Sequence, residues 1–266
     1  IAGIAIEKLG EDVCFGLNAL SFIAVIGSLL MMQLPPYIPR ARDKKIISEM
    51  REGLAYIKNT RTIKFVISML ALMSLLVLPY TSLIPVYARD IFHGTASTFG
   101  IIDSAIGLGA FTGAIFLASL KPGSNLHRVL TINTFVFGAG LALFSHTMNY
   151  PLALMFITIG AFGMMSQVTI TNTLVQTSVD PSMRGRVISI YAMAFFGMQP
   201  IGGLIVGIIS QHVGVKNTLL GEGIVALLAG FLHLRFLYQT KRLHKEIQQQ
   251  ENQAESTILQ NKVINS

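Results

Sequence analysis

Seven long apolar runs dominate the sequence and limit what the chain can fold into. They cover residues 13–34, 64–88, 97–120, 129–147, 151–176, 187–210 and 218–238. A helix needs about 20 apolar residues to cross the ~30 Å hydrocarbon core of a bilayer. Only 12% of the residues are charged, about half of what is usual in a soluble domain. The pattern predicts an all-α integral membrane protein with seven spanning helices, and residues 1–6 resemble the end of an earlier span.

The positive charges are divided unevenly between the loops on the two sides of the membrane. Assigning loops alternately places 17 of the 20 Lys and Arg residues on one side and leaves only Lys8, Arg89 and Lys216 on the other. Cytoplasmic loops carry such an excess. We therefore expect a cytoplasmic C-terminus and a location in the plasma membrane. Because the cations lie in short loops between spans, the net charge of +7 does not indicate a nucleic-acid partner.

The longest internal loop, residues 35–61, contains apolar residues at helical spacing among charged ones: Ile46, Ile47, Met50, Leu54 and Ile57. This pattern predicts an amphipathic helix on the cytoplasmic membrane surface. The polar tail 239–266 is expected to be a frayed helix or disordered.

A weak internal repeat relates the start of the chain to a region 204 positions later. Ile1-Ala2-Gly3-Ile4 matches Ile205-Val206-Gly207-Ile208, and both stretches cross the membrane in the same direction. Parallel repeats of six spans are the plan of major facilitator transporters. On this plan residues 1–34 end a first helical bundle, 35–61 form the central loop, 62–238 form a second six-helix bundle and 239–266 are the tail. The chain starts inside a helix, so we expect a fragment that lacks most of the N-terminal half.

Three motifs strengthen this assignment. Residues 176–187, QTSVDPSMRGRV, resemble the cytoplasmic turn before the eleventh span of a major facilitator subgroup that includes enterobactin-type siderophore exporters and macrolide-type efflux proteins. Residues 197–204, GMQPIGGL, and 83–89, LIPVYAR, are similar to spans of that subgroup. One departure concerns the Gly-rich loop of the superfamily, where Gly113, Lys121 and Arg128 remain but the loop lacks Asp. Its usual role in charge relay is therefore in doubt here.

The resemblance implies a secondary transporter that exports a medium-sized amphiphilic solute, a siderophore or a drug. The implied mechanism is alternating access driven by a proton gradient. No cofactor, metal or enzymatic activity is expected, since the sequence has one cysteine and no H-E-x-x-H or G-x-S-x-G motif. A non-transport membrane scaffold or an accessory membrane subunit is the alternative.

The inner half of the span 151–176 carries polar residues on one helix face, Thr169, Asn172, Thr173 and Gln176, at positions i, i+3, i+4 and i+7. Hydrocarbon offers such groups no partners, so the face meets protein or water. It is either the wall of a substrate cavity, to which Gln199 would add, or a set of interhelical hydrogen bonds.

Asp103 is the candidate for proton coupling. It is the acidic residue well inside an apolar span, and a carboxylate facing lipid costs at least about 2.5 kcal/mol. Gly100 and Gly107 lie on its side of the helix, so we expect that face to pack against neighbouring helices and place Asp103 in the bundle interior. The alternative is a structural, hydrogen-bonded Asp, or one paired with a cation elsewhere in the protein. Glu222, near the outer end of the last span, is expected to snorkel or to serve at an interface.

Two further sets concern conformational change. Asp180, Arg184 and Arg186 either anchor the topology or form a cytoplasmic gate whose ion pairs exist in one state only. The remaining positions are expected to serve close helix packing, or bending during transport: Gly109, Gly113, Gly203, Gly207, Pro79, Pro85 and Pro200.

Overall fold

The computed structural model describes residues 10–32, 46–121 and 123–264. Nine helices and no strand are found within these ranges. They are α1 (Glu11–Leu30), α2 (Ile46–Asn59), α3 (Arg61–Leu76), α4 (Tyr80–Asp90), α5 (Ala96–Ala118), α6 (Leu126–His146), α7 (Tyr150–Ser178), α8 (Arg184–Val213) and α9 (Val215–Ile264). The expected all-α fold is confirmed.

Seven helical segments in the described ranges are long and apolar enough to cross a membrane: Asp12–Leu30, Arg61–Asp90, Ala96–Ala118, Leu126–His146, Tyr150–Ser178, Arg184–Val213 and Val215–Thr240. They correspond one to one with the seven predicted spans. The second of them is α3 and α4 in succession, because Pro79 stands immediately before α4 and the chain turns at residues 77–79. Proline cannot donate the backbone hydrogen bond that would continue the helix.

Helices α3 to α9 pack into one bundle with two buried clusters. The first contains large aromatic side chains, among them Tyr80, Tyr87, Phe137 and Phe144. The second surrounds Leu130 and Leu174 and includes Ile57 of α2. We call the end of the bundle that holds this second cluster, α2 and the 179–183 turn the α2 end. The hydrocarbon of the membrane does not drive helices together, so association depends on close packing of such surfaces.

Glycine permits the closest approaches between helices. A Cβ atom at Gly140 of α6 would lie 2.6 Å from the backbone of Gly160 on α7, and one at Gly223 of α9 would lie 2.8 Å from the backbone of Ala142 on α6. Real Cβ atoms do not come so close, so larger residues would force these helices apart.

Of the two glycine pairs expected at helix contacts, Gly109 and Gly113 contact α7: Cβ atoms there would lie 2.1 Å from Thr158 O and 2.8 Å from Phe162 O. Gly203 and Gly207 make no such close approach to another described helix. A Cβ at Gly207 would have no neighbouring atom within 4 Å, and at Gly203 the nearest atom would be 3.8 Å away. The rotation of α8 instead turns Gly202 toward α3, where a Cβ would lie 2.1 Å from Leu75 O.

Helix α1 differs from the others because its apolar side chains are not covered. Phe15 is 72% exposed and Leu20 is 66% exposed, and no residue of its most apolar stretch is buried. Its apolar surface is therefore left to lipid or to another part of the protein.

The two predicted peripheral segments are helical. The amphipathic helix of the central loop is α2, with Ile47 and Leu54 exposed and Gly53 and Ile57 buried against the bundle. The other half of that loop lies outside the described residues. The tail was expected to be a frayed helix or disordered, and it continues α9 as a helix to Ile264. A helix of 50 residues extends about 75 Å, more than twice the hydrocarbon thickness.

Candidate transport site

The predicted polar face lies on α7 and is largely uncovered. Thr173 and Gln176 are exposed, and Thr169 and Asn172 are half-buried. The Gln176 side-chain amide donates a hydrogen bond to Asn172 Oδ1. The Thr173 hydroxyl donates to its own helix, at Thr169 O, 2.9 Å away. These hydrogen bonds run along α7 and leave the face open to groups from outside the helix.

The polar face borders a small cavity on one side. Thr169 and Thr173 line a cavity of about 240 Å³, together with Lys121 and the turn between α5 and α6. Ligand pockets are usually larger, about 300–1,000 Å³. This cavity alone is thus too small for a drug-sized ligand.

Tyr191 of α8 stands on the other side of the polar face, and sequence analysis did not identify it. Its hydroxyl interacts with the side chain of Asn172 and lies 3.5 Å from Val168 O, to which it donates. The tyrosine connects α7 with α8 through polar atoms. A buried aromatic residue on an apolar helix carries no signal in sequence that distinguishes it from ordinary packing.

Asp103 does not lie in the interior of the bundle. The residue is exposed on α5, and a Cβ at Gly107, on the same side, would have no neighbouring atom within 4 Å. Among the described residues no helix packs against Gly107, although Gly100 is buried, and the closest packing of α5 occurs at Gly109 and Gly113. Asp103 is therefore available to whatever covers this side of the bundle.

Two carboxyl groups lie near the same buried tyrosine. Tyr80, at the start of α4, is fully buried, and the carboxyl groups of Asp103 and Glu222 are close enough that a charge on either would act on its hydroxyl. Its hydroxyl lies 3.5 Å from Met164 Sδ on α7. Tyr80 thus lies between the buried core and the side of α5 that carries Asp103.

Glu222 was expected at an interface, and it is instead 4% exposed. Neither of its carboxyl oxygens has a hydrogen-bond partner among the described residues. Its position on the last span suggested a peripheral side chain, but α9 turns this face toward α6, which it approaches closely at Gly223.

Two of the residues proposed as a gate are paired with α2. Arg186 Nη1 lies 2.7 Å from Glu52 Oε2, with about 30% of each side chain exposed. The Tyr56 hydroxyl lies 3.2 Å from both Asp180 Oδ2 and the Asp180 amide. Gly53 allows close contact, since its Cβ would lie 3.3 Å from Arg186 Cβ. Asp180 and Arg186 therefore each bind the surface helix, whereas Arg184 is exposed.

The other residues expected to matter lie along α4 and α8. Gln199 is half-buried on α8, next to Pro200, which stands inside that helix. Pro85 stands inside α4. Each proline removes one helical hydrogen bond. No group of three or more His, Cys, Asp or Glu side chains in the described ranges could hold a metal ion.

The seven helical segments that are long and apolar enough to cross a membrane define a multi-pass α-helical membrane protein. The model of the transmembrane secretion effector family matches residues 1–264. The chain belongs to this family of major facilitator transporters.

The curated relatives include proteins that are named for transport or efflux. The staphyloferrin A transporter of Staphylococcus aureus is 29% identical over 141 residues, which cover 52% of this chain and 34% of that protein. The macrolide efflux protein A of Streptococcus pyogenes is 24% identical over 220 residues, 78% of this chain and 54% of that protein. The multidrug efflux pump Tap of Mycobacterium tuberculosis is 25% identical over 242 residues, 88% of this chain and 57% of that protein. The chain spans about half the length of the last two.

Proposed function

We propose that the chain is the C-terminal part of a secondary transporter that exports a medium-sized amphiphilic solute, a siderophore or a drug, by alternating access. The observation that carries the proposal is the polar face Thr169, Asn172, Thr173 and Gln176 on a spanning helix of the bundle. Polar groups at membrane depth meet protein or a water-filled cavity. The names of the relatives, which refer to a siderophore, macrolides and multiple drugs, support this class of solute.

The solute site needs a second bundle. The cavity beside the polar face holds only about 240 Å³, and substrate sites of such transporters lie between two repeats near the midplane. The uncovered α1, the exposed Asp103 and the length of the relatives all favour an N-terminal bundle that faces this one. The fragment 1–266 alone should therefore not transport.

We propose Asp103 as a proton-coupling residue. A carboxylate in a spanning helix is too costly to leave in lipid, so its exposed position on α5 favours a place at the junction between the bundles. There it would meet both the solute pathway and, through Tyr80, the core of this bundle. Glu222 is the competing candidate because it is buried without a hydrogen-bond partner among the described residues.

The proposal also includes the orientation of the protein in the membrane. With the α2 end in the cytoplasm of a bacterial cell, the proton gradient across the inner membrane is directed inward and can drive export. The ion pair Arg186–Glu52 would then hold α2 at the cytoplasmic mouth in one conformation.

Reconstitution of the full-length protein in proteoliposomes tests the proposal. Solute transport is measured with and without an imposed proton gradient, for the unchanged protein and for Asp103→Asn, Glu222→Gln and Asp90→Asn. Asp90 is the matched control because it is exposed at the end of α4 and already paired with Arg89 at 2.7 Å. We expect Asp103→Asn to abolish the response to the gradient while solute binding persists, and Asp90→Asn to behave as the unchanged protein.

Three results would contradict parts of the proposal. Loss of gradient dependence in Glu222→Gln but not in Asp103→Asn would move the coupling role to Glu222. An unchanged gradient response in both variants would exclude both acids. A folded protein that binds and moves none of a siderophore, macrolide and dye panel would favour the scaffold alternative.

A further inference from the structure

Helices α3 and α9 form a cavity at the α2 end that the transport proposal does not use. Its volume is about 450 Å³. Both helices contribute residues at positions i, i+3, i+4 and i+7, which is one face of each helix. The lining residues are Arg61, Lys64, Phe65 and Ser68 of α3 and Leu232, Arg235, Phe236 and Gln239 of α9.

The charged side chains among the described residues that line this cavity are all positive. Arg61, Lys64 and Arg235 are all exposed, and none of the lining residues is acidic. A neighbouring cavity of about 510 Å³ shares Arg235 and Gln239 and adds Arg242 and the exposed Tyr238. Positively charged side chains therefore continue along α9 beyond Arg235.

The floor of the cavity is aromatic and well ordered by packing. The rings of Phe65 and Phe236 stack with centroids 4.1 Å apart and an angle of 2° between their planes. His233 is buried behind them, its ring edge-on to Phe65 and its Nδ1 2.9 Å from Ala229 O. At the rim, Arg61 Nη2 donates to Gln239 Oε1 at 2.8 Å. The two helices are thus fixed relative to each other where the cations lie.

The start of α3 adds to the positive potential. Arg61 is its first residue, and the side chain of the preceding Thr60 makes no capping hydrogen bond. The first N–H groups of a helix have no partner within the helix, and its dipole is positive at this end. The feature supports anion binding by the side chains and does not by itself make a site.

An apolar strip runs along α9 from the cavity toward the middle of the membrane. Leu232, Phe231 and Leu228 are 44%, 59% and 56% exposed, one to two helical turns from Arg235. A molecule with an anionic head and hydrocarbon chains fits this order of cations, aromatic floor and apolar strip. A soluble anion would use only the cations.

We propose that this cavity, which we call the α3–α9 basic cavity, binds the headgroup of an anionic phospholipid whose acyl chains lie along α9. Phosphatidylglycerol and cardiolipin are the chemical class that fits. Basic pockets between spanning helices bind such headgroups. Lipid binding at this cavity would make the position of α9 depend on the composition of the membrane. Because α9 packs on α6 at Gly223, the position of α6 would depend on it as well.

Native mass spectrometry of the purified protein, titrated with phosphatidylglycerol or phosphatidylcholine, tests the proposal. The test variant combines Arg61→Gln, Lys64→Gln and Arg235→Gln. The matched control removes three other exposed cations, through Lys58→Gln, Lys121→Gln and Arg128→Gln. We expect the test variant to bind phosphatidylglycerol at least tenfold more weakly, and about a hundredfold if the three cations act independently. The control should change by less than about twofold, and phosphatidylcholine binding should be equal in all three.

A single substitution guards against misfolding of the triple variant. Gln239→Glu places a carboxylate at the rim beside Arg61 with almost no change of shape, and Gln249→Glu, exposed on the same helix, is its control. The first should weaken phosphatidylglycerol binding and the second should not. Equal losses in test and control variants would refute the site, because they would indicate general attraction to the basic surface. Displacement of the lipid by millimolar inorganic phosphate would overturn the lipid assignment in favour of a soluble anion.

Discussion

Replacement of Gly109 by alanine probes the packing on which the bundle depends. A Cβ at Gly109 would lie 2.1 Å from Thr158 O, 2.8 Å from Ala161 Cβ and 3.0 Å from Phe162 N. Two of these three atoms belong to the backbone of α7, so no side-chain rotation relieves the contact. Gly107, two residues earlier on the same helix, supplies the matched control, because a Cβ there would have no neighbouring atom within 4 Å.

The size of the effect follows from the geometry. The contact with Thr158 O is about 1.3 Å shorter than an ordinary contact at 3.4 Å, so α5 and α7 have to separate along this crossing. Inserting a methyl group into a packed core costs about 1–3 kcal/mol. Alanine favours the helix over glycine by about 1 kcal/mol at either site. The two variants should therefore differ in stability by about 1–3 kcal/mol, because the helix preference cancels between them.

Thermal unfolding of the purified protein in detergent measures this difference. One kcal/mol shifts the midpoint by about 2–4 °C in a soluble chain of similar size, so Gly109→Ala should unfold several degrees below Gly107→Ala. Gly107→Ala itself should unfold at or above the temperature of the unchanged protein. Equal midpoints for the two variants would refute the close crossing of α5 and α7.

Two further predictions concern the α2 end and the polar face. Glu52→Arg or Arg186→Glu alone should lower the unfolding midpoint, and the double exchange should restore at least half of the loss. The coupling free energy expected for a partly exposed ion pair is about 1 kcal/mol. Additive losses in the double variant would mean that the pair contributes nothing to stability. Asn172→Leu combined with Gln176→Leu should change the range of exported solutes more than the amount of protein in the membrane, whereas Thr112→Val, at an exposed threonine bonded to its own helix, should change neither. Equal loss of abundance and export in the leucine variant would instead assign these side chains to packing.

The number and extent of the spans could be predicted from sequence because burial in lipid is a local property. Each span needs about 20 apolar residues, and this requirement can be evaluated without knowledge of the neighbours. The same holds for α2, whose apolar residues recur at helical spacing whatever they contact.

The rotation of each helix about its axis could not be predicted in this way. Whether Gly202 or Gly203 meets α3, and whether Asp103 points into the bundle, depends on which side of the helix faces a neighbour. In a soluble protein hydrophobicity marks that side, but here lipid and protein are both apolar. For the same reason the sequence could not show that Glu222, on α9, is buried. Nor could it show the partners of Arg186 and Asp180, which lie far earlier in the chain, on α2.

Helices α7 and α8 differ in how much of each is buried in the bundle. Helix α7 packs closely on α5 at Gly109 and Gly113 and on α6 at Gly160 and Gly163. Backbone contacts of this kind leave little freedom to shift.

Only 11% of the most apolar stretch of α8 is buried, against 44% for α7. Helix α8 approaches α3 closely at Gly202 and is tied to α2 by the ion pair of Arg186. Pro200 lies two residues from the first of these points and weakens the helix there. If the transporter alternates between two conformations, we expect α8 to tilt about Gly202 while α5, α6, α7 and α9 move as one unit. Release of the α2 contact would then accompany the opening of the α2 end.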